Sequence, residues 1–181
     1  MKPTFFFLIT LFLSLSFFGQ SPRRTVKKLG DHPVFYIDSI NVDHSEIMKY
    51  DPNDVSVVNV LNGKEAIEKE GEDGKDGVVY IYTKKYAREK YWIYFKSKSP
   101  EYGLLVPTAE SDSTVQYILN KRILKDNFSG LLFAVNDKVF KEIKLIDKET
   151  LARDYKITDK EMGVIIKSDI PANLYKGKKK F

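Results

Sequence analysis

No cysteine occurs among the 181 residues. Its absence excludes thiol nucleophiles, thiolate metal ligands, disulfide staples and a lipid-modified cysteine, so the fold must rest on its core alone. Histidine is nearly absent as well. His32 and His44 are the only two, and neither has an HxH or HExxH neighbour. One histidine beside Asp43 or Glu46 is too few ligands for zinc, and no metal is expected. Ser39, Ser45, Ser56 and Ser129 lack the setting of a nucleophile elbow, so no catalytic serine is expected. The carboxylate pairs Asp51/Asp54 and Asp147/Glu149 stand at expected helix starts, where satisfying free N–H groups is their ordinary role. Neither sign of charge dominates: the net charge is +5, spread along the chain apart from the terminal KGKKKF. That balance favours solubility and gives no reason to expect a nucleic-acid partner.

A long apolar run is also missing. The run Phe5 to Phe18 is broken by Thr10, Ser14 and Ser16, and a spanning helix needs about 20 apolar residues. With Lys2 before it and Gly19-Gln20-Ser21 after it, the run reads as a secretory signal cleaved near residue 20. The expected organisation is a signal over 1–20 and a basic lead-in over 21–33. A first folded unit over 34–85 follows, then a connecting strand and helix over 86–130, a second and degenerate unit over 131–170, and a basic tail over 171–181. The expected class is α+β, with a small mixed β-sheet, short helices and two related halves.

What is present is rich in strand and turn signals. VFYIDSINV (34–42) is a strand with a turn near Asp38-Ser39. Asp51-Pro52 starts a brief helix, Val55 to Leu61 is a β-branched run, and Asn62-Gly63 stops it. Lys64 to Lys69 forms a helical turn with Ala66 and Ile67 facing inward. EGEDGKDGVVYIYTKK (70–85) passes from a Gly/Asp cluster straight into a strand. A phosphate loop needs Ser or Thr after its lysine and then a helix; here Gly74-Lys75 is followed by Asp76, Gly77 and a strand. An EF-hand calcium loop fails because Gly74 has no side-chain oxygen and Thr83 stands where a glutamate belongs. The cluster reads as a turn that launches Val78 to Thr83. Beyond it, alternation in REKYWIYFKSKSP (88–100) predicts a strand, the spacing of Val115, Ile118, Leu119, Arg122 and Ile123 predicts a helix over 113–125, and GLLFAVNDKVF predicts two short strands.

The chain echoes itself. FYIDSINV aligns with LFAVNDKVF, IMKYDPNDVSVVNVL with IKLIDKETLARDYKI, and DGVVYIYTK with MGVIIKSD, placing Gly77 on Gly163. The second copy has no counterpart of the helix and Gly/Asp segment in this alignment.

FYIDSINV, DPNDVSVVNVLNGKEA and GEDGKDGVVYIYTKK together resemble the end of the plug domain of TonB-dependent outer-membrane receptors, in the SusC-like form of the Bacteroidetes. Asp54-Val55, Asn59-Val60-Leu61, Gly77-Val78-Val79 and Thr83-Lys84 carry the resemblance, which covers about residues 34–85. Lys69-Glu70-Gly71 replaces the usual tyrosine-glycine pair, and no TonB box is evident near residue 21. The amphipathic strands of a barrel do not follow. The resemblance implies a stand-alone plug-like domain in the periplasm or at the outer-membrane periphery of a Gram-negative bacterium. The function expected is a non-catalytic envelope binding or assembly module with an envelope protein as partner, acting without a cofactor. The alternative is an envelope hydrolase using dispersed carboxylates. The aromatic and basic stretch around Tyr82, Lys84, Lys85, Arg88, Trp92 and Tyr94 is the expected partner-binding surface, stacking on sugar rings or docking a protein, with pairing along the Val78–Thr83 strand as a further mode. Part of that stretch must instead face the core.

Overall fold

Two left-handed residues, Asp38 (φ 49°) and Ser39 (φ 71°), turn Val34–Ile37 (β1) back onto Ile40–Val42 (β2). The computed structural model describes residues 29–169; the signal-like segment, most of the lead-in and the basic tail lie outside the described residues. A short helix, His44–Ile47 (α1), and a 3-10 turn at Pro52–Asp54 lead to Val55–Leu61 (β3). Asp51 accepts from the Asn53 N–H and Pro52 fills the first helical position, as the Asp-Pro pair predicts. Asn62-Gly63 ends β3, with Gly63 at φ +57° opening the helix Gly63–Glu70 (α2). Ala66 faces inward as expected, but Ile67 is 41 % exposed. The glycine cluster is a 3-10 turn, Gly71–Asp76, launching Val78–Thr83 (β4). Gly74 is required for space, since a Cβ there would lie 2.3 Å from the Ala66 carbonyl oxygen. β4 runs between β1, its parallel neighbour, and β3, its antiparallel one.

A second sheet repeats this plan. Its strands are Val115–Leu119 (β5), Arg122–Ile123 (β6), Phe140–Asp147 (β7) and Met162–Ser168 (β8), in the order β6-β5-β8-β7. Two helices, Lys84–Lys98 (α3) and Pro100–Leu105 (α4), lie between the sheets in sequence, and a third, Ser129–Phe133 (α5), lies between β6 and β7. Lys148–Thr150 (α6) continues into a π turn, Leu151–Tyr155, joining β7 to β8. The α+β class with small mixed sheets and short helices is as expected from sequence.

Three elements differ from expectation. Residues 88–98 are helical, because the Thr83 side chain caps the Tyr86 N–H at 3.1 Å and Ala87, Tyr91 and Phe95 bury one face at four-residue spacing. The aromatic alternation there was accidental. Residues 113–125 are a hairpin; Asn120 (φ 59°) supplies a left-handed turn, and the helical spacing of Ile118, Leu119, Arg122 and Ile123 only mimicked a helix face. GLLFA is α5 rather than a strand, and β7 starts at Phe140, after a turn at Asn136 that accepts from the Val139 N–H and, through its side chain, from the Lys138 N–H.

The pairing registers also correct the alignment of the two copies. Val58 pairs with Ile81 and Ile143 with Ile166, so both strands step by 85 residues (58 to 143, 81 to 166). The same step carries the bulge at Val55/Val57 onto that at Phe140/Glu142, and the left-handed helix end at Gly71 (φ 64°) onto Lys156 (φ 60°). Residues 55–83 therefore match 140–168 without a gap, the helix of the first copy has its counterpart, and Gly77 falls on Met162, one place from Gly163. FYIDSINV matches the β5–β6 hairpin rather than LFAVNDKVF. The turn chemistry repeats too: Thr83 N–H donates to Asp38 Oδ1 at 2.7 Å, and Ser168 N–H to Asn120 Oδ1 at 3.0 Å.

Among the described residues three apolar clusters form the core. Tyr91, Phe95, Tyr102, Tyr117, Leu132, Val164 and Ile166 form the largest, between the linker helices and one face of the second sheet. Phe35, Ile37, Val79 and Ile81 form another with Leu29 and Ile47, and Ile118, Ile146 and Leu151 a third. α5 presses on β3, where Ser129 and Ser56 hydroxyls meet at 2.6 Å and a Cβ on Gly130 would strike Val57 at 2.7 Å. That contact joins the helical layer to the first sheet.

Candidate functional site

Residues on a strand alternate faces, so β1 and β4 send Tyr36, Tyr80 and Tyr82 to the same side of the first sheet. Parallel pairing sets Tyr36 directly beside Tyr80, and their rings stack at 5.1 Å and 12°. Tyr80 and Tyr82 follow at 6.5 Å and 7°, and Tyr82 and Tyr86 at 5.7 Å and 16°. Phe133 of α5 closes the row, tilted on Tyr82 at 4.8 Å. All four tyrosines are part-exposed. Their ring faces are turned toward one another, so the row offers edges and hydroxyls outward.

The far end of the row is polar. Glu70, the last residue of α2, accepts from Tyr36 at 2.7 Å and from Tyr80 at 2.6 Å. The Tyr80 hydroxyl, followed by that of Tyr36, holds the Glu70 carboxyl below its ordinary 4.5. Burial and the Glu70 carboxylate push Tyr80 up; the hydrogen bond to Glu70 is the leading cause for Tyr36. Burial raises Tyr82 as well. At the other end Tyr86 shares a hydrogen bond with Ser39 at 2.9 Å. A carboxyl depressed in the folded state stabilises above its unfolded value, and that contribution disappears as pH falls through the folded one. Glu70→Gln should therefore lower stability near neutral pH and flatten its loss below the ordinary 4.5. Urea midpoints at about pH 6 and about pH 3 measure this; a variant with the wild-type slope refutes it.

The second sheet shows what this face looks like without the stacked row. In register, Ile118 stands for Tyr36, Ile165 for Tyr80, Lys167 for Tyr82 and Tyr155 for Glu70. There Ile118 is fully buried with Leu151, while Ile123, Ile157 and Ile165 pack against them. Lys167 is paired with Glu142. One copy fills this face mainly with isoleucines, beside Tyr155 and an ion-paired lysine, and the other carries a part-exposed tyrosine row.

The expected surface divides accordingly. Tyr82 belongs to the row, with Lys84 part-exposed, Lys85 exposed and Arg88 half-buried on the first turns of α3. Trp92 points elsewhere, donating its indole N–H to the Val106 carbonyl at 2.7 Å. Tyr94 donates to Asp137 at 3.1 Å and meets Phe140 edge-on. Pairing along Val78–Thr83 is excluded, because β4 is hydrogen-bonded on both sides. Sequence reasoning missed Tyr36 and Glu70; only the parallel pairing of β1 with β4, 44 residues away (34 to 78), brings them to the row. The residues of the plug-like pattern have structural work here. Asp38 accepts from both the N–H and the hydroxyl of Thr83, at 2.7 Å each, fixing the hairpin to the start of α3.

No family model, no curated protein and no solved structure matches the chain.

Proposed function

We propose that the chain is a non-catalytic binding module of the bacterial envelope that holds a protein partner through the tyrosine row of its first sheet. The observation that carries this reading is the divergence between the copies: where the second sheet has Ile118, Ile165 and the ion-paired Lys167, the first has the stacked, part-exposed Tyr36, Tyr80 and Tyr82. Burying that face with isoleucine would be the more stabilising choice for folding alone. Part-exposed tyrosines instead combine large contact area with hydroxyls, the composition of interface hot spots. Stacked rings leave little free π surface for a sugar, which favours a protein partner. The plug-like pattern over 34–85 and the signal-like segment over 1–20 support an envelope location.

Tyr82→Ala tests it. Capture from Gram-negative envelope extracts should show a stoichiometric partner bound about 2 kcal/mol more weakly, with the melting point nearly kept. Trp92→Ala serves as the contrast, lowering stability while the folded fraction binds normally. If Tyr82→Ala only destabilises and its folded fraction binds as wild type, the row is structural and the reading falls.

A further inference from the structure

β3 is an edge of the first sheet, and β7, which takes the equivalent place in the second, is an edge too. In register, Ser56, Val57 and Asn59 stand for Lys141, Glu142 and Lys144. β7 therefore carries exposed charges, an ordinary protection of an edge against pairing, whereas no charged residue occurs from Val55 to Gly63. α5 accounts for two of these replacements, because it packs on Ser56 and Val57. It does not account for Asn59. Every residue of β3 is part-exposed. Among the described residues, no backbone group outside β4 bonds to the backbone of Val58, Asn59, Val60 or Leu61.

We propose that this open stretch, Val58 to Leu61, pairs with the same stretch of a second copy of the chain, antiparallel about a two-fold axis perpendicular to the sheet. The missing charge selects the occupant. Near such an axis every side chain lies close to its own twin, so a central lysine repels itself and a central asparagine does not. β7 has Lys144 at this position and β3 has Asn59. The rest of the stretch suits its own copy as well: Val58 and Val60 are β-branched, and the Asn59 amide both donates and accepts. Like faces stay together about the axis, so two four-stranded sheets become one of eight strands with both tyrosine rows on one side. Asn59, beside Tyr80 in register, lies on that side. A join this short is smaller than a permanent interface, so monomer and dimer should exchange with concentration. The pairing goes beyond the reading of the tyrosine row and does not depend on it.

Sedimentation of the full chain at rising concentration should show monomer giving way to dimer. Asn59→Lys, which copies the residue of the second sheet, and Asn59→Asp should each weaken the dimer about tenfold or more. Mixing the two variants should restore it, since opposite charges then meet across the axis. Ile40→Lys charges the opposite edge of the same sheet, at a side chain 68 % exposed, and should leave the dimer unchanged. A wild-type chain that stays monomeric overturns the proposal. So does a dimer that Asn59→Lys leaves intact, or one that the mixture fails to restore. Loss of a captured protein partner in Asn59→Lys, with the wild-type chain monomeric, would assign the edge to a strand of that partner instead.

Discussion

Tyr117→Ala should cost about 4 kcal/mol, the upper range for truncating a large buried side chain. Tyr117 is 1 % exposed on β5 and lies at the centre of the largest cluster. Its ring meets Tyr91 edge-on at 5.9 Å and Phe128 at 5.5 Å, while its hydroxyl shares a hydrogen bond with Tyr102 at 2.8 Å. Nearby, Tyr91 donates to the buried Asp112 at 3.1 Å. Burial pushes the Tyr117 hydroxyl well above its ordinary range and Tyr102 up to about 12, so both stay protonated at any physiological pH. Removing the ring opens a cavity between α3 and the second sheet and strands the Tyr102 hydroxyl. Tyr117→Phe keeps the volume and should cost about 1 kcal/mol, the loss of one hydrogen bond. Urea unfolding with an unchanged slope would measure both. Equal costs for the two variants would show that the hydroxyl pair, not the packing, holds this core.

The second large effect comes from the duplication. Leu151 fills the space over Gly163: a Cβ on that glycine would lie 2.8 Å from Leu151 Cδ2. In register, the first copy has Ala66 for Leu151 and Val78 for Gly163, and both are fully buried. Large over small in one copy is small over large in the other. Ala66→Leu alone should overpack by about 3 kcal/mol. Val78→Gly alone should cost about 3 kcal/mol through a cavity and a flexible strand. Together they transplant the second copy's solution, and the double variant should recover about 2 kcal/mol of the sum. Additive losses would show that the two positions do not share one space.

The first copy was far more legible than the second. Asp51-Pro52, Asn62-Gly63 and the Gly/Asp cluster are local signals, and each produced the element expected of it. The linker and the second hairpin were misread because aromatic residues serve strands and core-facing helices equally. Tyr91 and Phe95 read as alternation until the Thr83 cap placed them on a helix. At 113–125 a period of three to four was satisfied by residues that a turn at Asn120 folds into two strands. That asparagine was the overlooked signal. The candidate face was half visible: Tyr80 and Tyr82 are neighbours in sequence, whereas Tyr36 and Glu70 join them only through tertiary pairing.

Thr83 closes three structures at once. It is the last residue of β4, its N–H and hydroxyl both reach Asp38 in the hairpin turn, and the same hydroxyl oxygen caps α3. α3 in turn supplies Tyr91 and Phe95 to the core of the second sheet. Opening the turn of the first sheet removes the Asp38 bonds that hold the Thr83 hydroxyl in its capping position, and so loosens the start of the helix that roofs the second sheet. In kinetic terms, the expected consequence is that Thr83→Ala lets the two copies open more independently, with Thr83 acting as the latch between them.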